Sequence, residues 1–360
     1  MPNPDKVVWE CAPHTIAKHR ILKYYLGAWF PILARYNGKI IYVDGFSGPG
    51  EYKGGEKGSP LIALEVAAAQ QKHLVHSQIG FEFIEQDEQR AKNLESAIAT
   101  LDLPENFAID VTRANFQDVI NGRLDSLDES GTKNAPIFAF IDPFGFSGVP
   151  YSLLKRLLTY EKTEVFVYFA RNSINRFVGV AKVEQHMKDL FGLKKIEIPA
   201  GVNRLDFLKG LYESQLKEIA KYVGSFSMIN AKGVPIYDLF FASNNLTGYI
   251  KMKEAMWKVD ENGGFKFDYR DDPSQAILFP IDPLESLVKL IKEKGKGGKD
   301  LNIDRIERYV ESKTIYLASH MKRALGQLEE MEIISVHKIK ADGNPRRGKF
   351  FAPGTIIDFK

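Results

Sequence analysis

The feature that most constrains this chain is an alternation. Between residues 39 and 169, short apolar runs take turns with longer stretches of helical spacing. The runs are "KIIYVD", "QIGFEFIE", "NFAIDV", "APIFAFID" and "TEVFVYFA". Each is short and rich in β-branched and aromatic residues, so each reads as a buried strand. "SPLIALEVAAAQQ", "DEQRAKNLESAIATL" and "PYSLLKRLLTY" read as helices, with Ser59 the expected N-cap of the first and Pro60 its first helical residue. Such alternation predicts an α/β domain, a parallel sheet covered on both faces. "GSFSMINAK" and "VPIYDLFFAS", joined near Lys232-Gly233, predict a closing antiparallel hairpin and a seven-stranded sheet. Residues 171–222 read as a mostly helical elaboration. Before the first strand, Ile21, Leu22, Tyr25, Leu26 and Trp29 share one helical face, and Pro31 is expected to kink or end that helix.

"KFDYRDDPSQ" and the prolines at 280 and 283 divide the chain: a domain over 1–262, a linker over 263–280 and a second domain over 281–360. The second domain reads as three helices followed by two short strands, "IISVHKIK" and "RRGKFFAPG", the pattern of a winged helix-turn-helix. Its 16 basic and 12 acidic residues give it +4 of the chain's net +3, leaving −1 for residues 1–280. That excess favours an acidic partner such as nucleic acid, and a solvated surface accounts for it equally. On the nucleic-acid reading, His320, Lys322 and Arg323 face the major groove, while Arg346, Arg347 and Lys349 contact phosphate. The one cysteine, Cys11, excludes a disulfide framework and a cysteine zinc cage. His73 and His76 have no third ligand in sight, so no metal is expected. With no membrane-spanning run and no signal-peptide core, the chain reads as soluble and cytoplasmic.

The first strand leaves through "DGFSGPGEY", with glycines at Gly45, Gly48 and Gly50. Glycines let backbone pass close to a ligand and take positive φ. A dinucleotide fingerprint runs straight into its helix, whereas here eight residues separate Gly50 from Ser59. No Gly-Lys-Ser/Thr follows for a P-loop. Asp44, Phe46, Gly48 and Gly50 instead look like the first motif of S-adenosylmethionine-dependent methyltransferases, whose ligand carries no phosphate. Asp44 suits a ligand amine or an ordered water. A ribose needs an acid at the end of the next strand, where Glu85 stands with Asp87 in reserve. An adenine contact is expected after the third strand, at Asp110.

"FIDPFGFSG" follows the fourth strand. Asp142 and Pro143 stand where methyltransferases of exocyclic amino groups carry Asp/Asn-Pro-Pro-aromatic. The Asp142 carboxylate and Pro143 carbonyl would accept the two amino hydrogens, and Phe144 or Phe146 would stack on a flipped base. The third and fourth positions, Phe144 and Gly145, depart from that pattern. After the fifth strand, Arg171, Asn172 and Arg176 suit a phosphate or substrate edge at the same rim, or an ordinary surface loop. His14 and Lys18, one helical turn apart, read either as a cover for the cofactor or as helix surface.

Taken together, "PHTIAKHRILKYYLGAW", "YVDGFSGPGEYKGGEKGSPLIAL", "FIEQDEQR", "FIDPFGFSG" and "YDLFFASNNLTGYIKMKEAMWKVD" resemble the three-Cys-motif partner proteins, TcmP. The resemblance implies a Rossmann-like class I methyltransferase core plus the winged-helix tail, S-adenosylmethionine as cofactor, and a radical-SAM-like companion protein carrying three cysteines. Motif by motif, it places Asp44, Gly45, Phe46, Gly48 and Gly50 at the cofactor turn. It also places Glu85 at the ribose, and Asp142, Pro143 and Phe144 at the reacting centre. With the Asp142-Pro143 motif, the leading expectation is methylation of a nucleic-acid amino group, the tail serving as docking module. The competing expectation is a non-catalytic scaffold retaining a degenerate core. A nuclease is disfavoured because no carboxylate cluster has a lysine partner.

Overall fold

The computed structural model describes residues 7–131, 133–145, 147–261, 263–268, 283–345 and 351–360. They fall into two compact units, residues 7–259 with 266–268, and the remainder from 260 onward.

The first unit opens with α1 (Pro13–Ala34), which buries Ile21, Leu22, Tyr25, Leu26, Trp29 and Phe30. Pro31 neither ends nor breaks this helix, which runs on to Ala34. A proline at 31 leaves the Gly27 carbonyl without its helical donor, and the Gln70 side-chain amide fills that role at 3.0 Å. Then come β1 (Lys39–Asp44), α2 (Ser59–Ala68), α3 (Gln71–Leu74), β2 (Gln78–Ile84), α4 (Glu88–Ala99) and β3 (Phe107–Thr112). They are followed by α5 (Phe116–Ser130), β4 (Ile137–Ile141), α6 (Tyr151–Thr159) and β5 (Thr163–Phe169). The elaboration holds α7 (Arg171–Phe177), a short 3-10 turn, α8 (Glu184–Phe191) and α9 (Arg204–Ile219). The unit closes with β6 (Tyr222–Ile229), β7 (Pro235–Ser243), α10 (Leu246–Trp257) and β8 (Lys266–Asp268).

The strands form one sheet in the order β3-β2-β1-β4-β5-β7-β6-β8. The first five are mutually parallel, while β7 runs antiparallel to both β5 and β6. The expected closing hairpin is present, its Asn230 side chain accepting the Lys232 and Val234 amides. An eighth strand, β8, pairs parallel with β6 where the sequence reads as linker. Apolar residues cover both faces, in two clusters built around α1, α2 and α10 on one side and α5, α6 and α9 on the other.

The second unit contains α11 (Glu285–Gly295), β9 (Leu301–Asn302), α12 (Ile303–Lys313), α13 (Ala318–Glu330), β10 (Ile334–Val336) and β11 (Ile356–Phe359). Its sheet is antiparallel, ordered β10-β11-β9. Of the expected strand "RRGKFFAPG", residues 346–350 lie outside the described residues; the last described strand is β11, and β9 is an addition. Gly295 lets the Phe359 ring against α11, since a Cβ there would come within 2.2 Å of the ring. Among the described residues, no helix is long and apolar enough to cross a membrane.

Candidate active site

The turn after β1 is bonded into its neighbours before any ligand is considered. Gly45 N–H donates to the Phe140 carbonyl on β4 at 2.9 Å, and Ser47 N–H to the Ile84 carbonyl on β2 at 3.0 Å. Gly48 and Gly50 take φ of +66° and +86°, the left-handed region. Gly45 is glycine for another reason. A Cβ there would lie 2.6 Å from the Phe116 ring that packs beneath it.

Eight residues do separate Gly50 from α2, but they form a closed excursion. Glu51 bridges Lys57, and Gly58 N–H donates to the Gly50 carbonyl at 2.6 Å. The start of α2 is thereby returned to the turn. Gly58 rather than Ser59 is the N-cap, and the Ser59 hydroxyl lies beside the Asp44 carboxyl instead.

Asp44 is fully buried. Its Oδ2 accepts from the Tyr42 hydroxyl at 3.1 Å, and its Oδ1 has no bond of acceptable geometry despite the nearby Ser59 and Phe46. Burial is the main force raising its pKa to about 7; the adjacent Asp142 adds to this, and the Ser59 and Tyr42 hydroxyls oppose it. Glu85, at the end of β2, accepts the Gly48 amide on Oε2 and the Asp87 amide on Oε1, each at 2.9 Å. A carboxylate has about four acceptor directions, so each oxygen keeps one for a ligand hydroxyl. Asp87 is the N-cap of α4, bonded to the Arg90 amide at 2.9 Å.

Two cavities share Phe46, Pro143 and Phe144 as walls. One, of about 440 Å³, lies among the ends of β1, β2 and β3 and is lined by Glu85, Asp87, Asn115 and Phe116. The other, of about 600 Å³, reaches from the glycine turn past Asp142 to Asn172 and Arg176. Its walls carry aromatic rings, Trp9, Tyr52, Tyr168 and Tyr237. The Trp9 and Phe144 rings meet edge-on at 5.2 Å, and the Arg90 guanidinium sits 5.2 and 5.1 Å from their centroids.

Lys18 follows the first of its two sequence readings. Far from being helix surface, it is 6% exposed, and its ammonium donates to Asp142 Oδ2 across the second cavity. Its Nζ also lies 6.0 Å from the Phe140 and Tyr237 rings. His14 and His19 line the same space, and burial, reinforced by Lys18, lowers them to about 4 and about 3. Both imidazoles are therefore neutral near pH 7.

Three expected site residues are not assembled here. Asp110 lines neither cavity; it lies two residues short of the end of β3, exposed and bonded to the Thr112 hydroxyl at 2.6 Å. Its place beyond β3 is taken by Ala114, Asn115 and Phe116. Arg171 turns inward, 4% exposed, and pairs with Asp206 and Asp238. His320 caps α13, its Nδ1 accepting the Leu317 amide at 3.1 Å. Asn172 does line the second cavity. In the second unit Arg323 is exposed and Lys322 lies 3.7 Å from Glu307. Phe146, Arg346, Arg347 and Lys349 lie outside the described residues. Sequence reasoning missed Trp9, Tyr52, Tyr237 and Arg90, which carry no local signal. Asn115, a capping residue just beyond a strand, carries a legible one.

No protein-family profile matches the chain, and no curated protein matches it in sequence. Solved structures do resemble it. A DUF574 family protein from Streptomyces avermitilis shares 11% identity over 62% of this chain and 83% of its own, with a TM-score of 0.34. A SAM-dependent methyltransferase from Methanosarcina mazei shares 12% over 59% and 96%, at 0.30. A cyclopropane synthase from Mycobacterium tuberculosis shares 12% over 69% and 70%, at 0.29. These likenesses are too slight to argue from. The strand order is the stronger observation: a mostly parallel sheet ordered β3-β2-β1-β4-β5-β7-β6, with β7 reversed, fits a Rossmann-like methyltransferase fold.

Proposed function

We propose that this chain is an S-adenosylmethionine-dependent methyltransferase acting on an exocyclic amino group of nucleic acid. The observation that supports it best is the turn itself. Two left-handed glycines follow β1, and Glu85 at the end of β2 anchors the first of them, Gly48, while keeping acceptor directions open. Ligands of open α/β sheets bind at the carboxyl ends of the strands. The residues fit the cofactor: Glu85 for the ribose, and Asn115 and Phe116 for the adenine; Asp44, expected to take a ligand amine, is fully buried beneath the turn and lines neither cavity. When bound, the cofactor supplies a methyl group made electrophilic by its sulfonium.

The chain's own residues then have positioning to do. Lys18 holds Asp142 by one oxygen, leaving Oδ1 to accept a hydrogen of the amine, and the Pro143 carbonyl accepts the other. Phe144, 40% exposed, and the Trp9 and Tyr237 rings in the cavity wall offer a flat base aromatic faces, with Arg176 for a neighbouring phosphate. Lys18, His14 and His19 come from α1, so the helix before the first strand belongs to the site.

In the second unit, the order α11-β9-α12-α13-β10-β11 suits a winged helix-turn-helix, with Lys322 and Arg323 on the helix that would enter the major groove. With Arg346 and Arg347, it would dock the substrate. The TcmP resemblance adds the three-cysteine companion as partner. A transfer assay with tritiated methyl donor over DNA, RNA and that companion tests the reading. Label should enter nucleic acid and vanish with Asp142→Ala; label in none of them would end the catalytic reading. The rival reading, a binding scaffold, draws support from the Lys18–Asp142 pair, which occupies an acceptor the chemistry would use. It requires cofactor binding without transfer.

A further inference from the structure

A separate cavity opens at the other end of β5. Glu164 is the second residue of that strand, and Tyr168, four residues on, lines the cleft described above. At about 3.3 Å per residue the two stand about 13 Å apart along the strand. The cavity holds about 220 Å³, walled by Tyr25, Trp29, Leu33 and Tyr36 from the C-terminal half of α1 and the loop after it, and closed by the start of α10.

Glu164 is only 4% exposed. The Tyr25 hydroxyl donates to its Oε2 and the Ser243 hydroxyl to its Oε1 at 2.8 Å. The Trp29 indole lies near the carboxyl, yet its Nε1 makes no bond of acceptable geometry and is buried. No lysine or arginine pairs with Glu164 among the described residues. The two lysines at the cavity have other partners: Lys162 donates to Asn37, itself in the cavity wall, at 2.8 Å, and Lys251 to Glu254 at 2.8 Å. Burial accordingly raises the carboxyl's pKa. Space has been cleared for it as well, because a Cβ on Gly248 would lie 1.8 Å from Glu164 Oε1.

Burying an acid is costly unless it is paired or hydrogen-bonded. Here two hydroxyl donors leave one acceptor direction on each oxygen, and the missing partner is a cation. Aromatic faces attract cations, most strongly when desolvated. We propose that this cavity binds a small organic cation, a primary or methylated amine, with its ammonium on Glu164 and its hydrocarbon against Trp29 and Leu33. The site is independent of the methyltransferase reading, since it shares no lining residue with the glycine-turn cleft.

The test uses the full chain and matched probes. Phenethylammonium and butylammonium are titrated calorimetrically beside their uncharged isosteres, 2-phenylethanol and 1-butanol. The amines should bind about tenfold or more tightly than the alcohols, and Glu164→Gln should erase that difference. Leu33→Trp, which fills the cavity without touching the acid, should abolish amine binding and keeps the test decisive if Glu164→Gln fails to fold. Equal binding of amine and alcohol, no binding of any probe at millimolar concentration, or undiminished amine binding in Leu33→Trp would each overturn the proposal.

Discussion

The two ends of the sheet solve one problem differently. At the carboxyl ends, the acids around the glycine turn are compensated by the protein: Asp142 by Lys18, and Glu85 by two backbone amides. At the amino end of β5, Glu164 has hydroxyls alone. On the proposed function, the first arrangement would pre-organise charge around a ligand that brings its own positive centre. The second leaves a charge for something else to compensate. Asp44 belongs to the first end yet resembles Glu164, since burial raises the pKa of both.

Removing the compensation at the first end should have the largest effect. Lys18→Met leaves Asp142 facing the cleft without its cation and should cost about 3 kcal/mol of stability, read by urea denaturation. At the other end, Gly248→Ala drives a methyl group into Glu164 and should cost about 2 kcal/mol in the same assay. If it costs nothing, the clearance around that acid is not a constraint.

The pH dependence sharpens the contrast further. Asp44 titrates at 3.8 in the unfolded chain and at about 7 in the folded one. The folded state therefore keeps the extra proton between those values. Its contribution is full below pH 3.8 and is lost as pH rises through about 7. His14 and His19 act oppositely, because their folded values of about 4 and about 3 lie below 6.5. Their contribution is full above pH 6.5 and is lost as pH falls. Asp44→Asn should thus gain stability over wild type as pH is raised from 4 to 7, by on the order of 2 kcal/mol, in denaturant melts at each pH. A flat difference would place the proton elsewhere. The smallest effect lies between the two ends. Gln70→Ala orphans the Gly27 carbonyl beneath Pro31 and should cost about 1 kcal/mol.

Much of the first unit was legible because its signals are local. The five parallel strands, the closing hairpin and the glycine turn each depend on a few adjacent residues. The position of Glu85 at the end of β2 could be read because the strand's apolar run stops there. Asp110 lies two residues short of the end of β3, and a reading good to within two residues cannot place a side chain at the rim. The sequence left Lys18 open between cleft and helix surface, and left Arg171 open between rim and surface loop, because their partners are distant, Asp142 124 residues away and Asp238 on β7. Glu164 did leave a trace, an acid inside the otherwise apolar "TEVFVYF". A strand buried on both faces has no ordinary place for one.

The most direct measurement is calorimetric titration of the folded chain with S-adenosylmethionine and with its demethylated product. Expected is binding on the order of micromolar, weakened about tenfold or more by Glu85→Ala and unchanged by Glu164→Gln. Absence of binding to wild type, or equal affinity in Glu85→Ala, would contradict the claim that the glycine turn and its acid form a cofactor site.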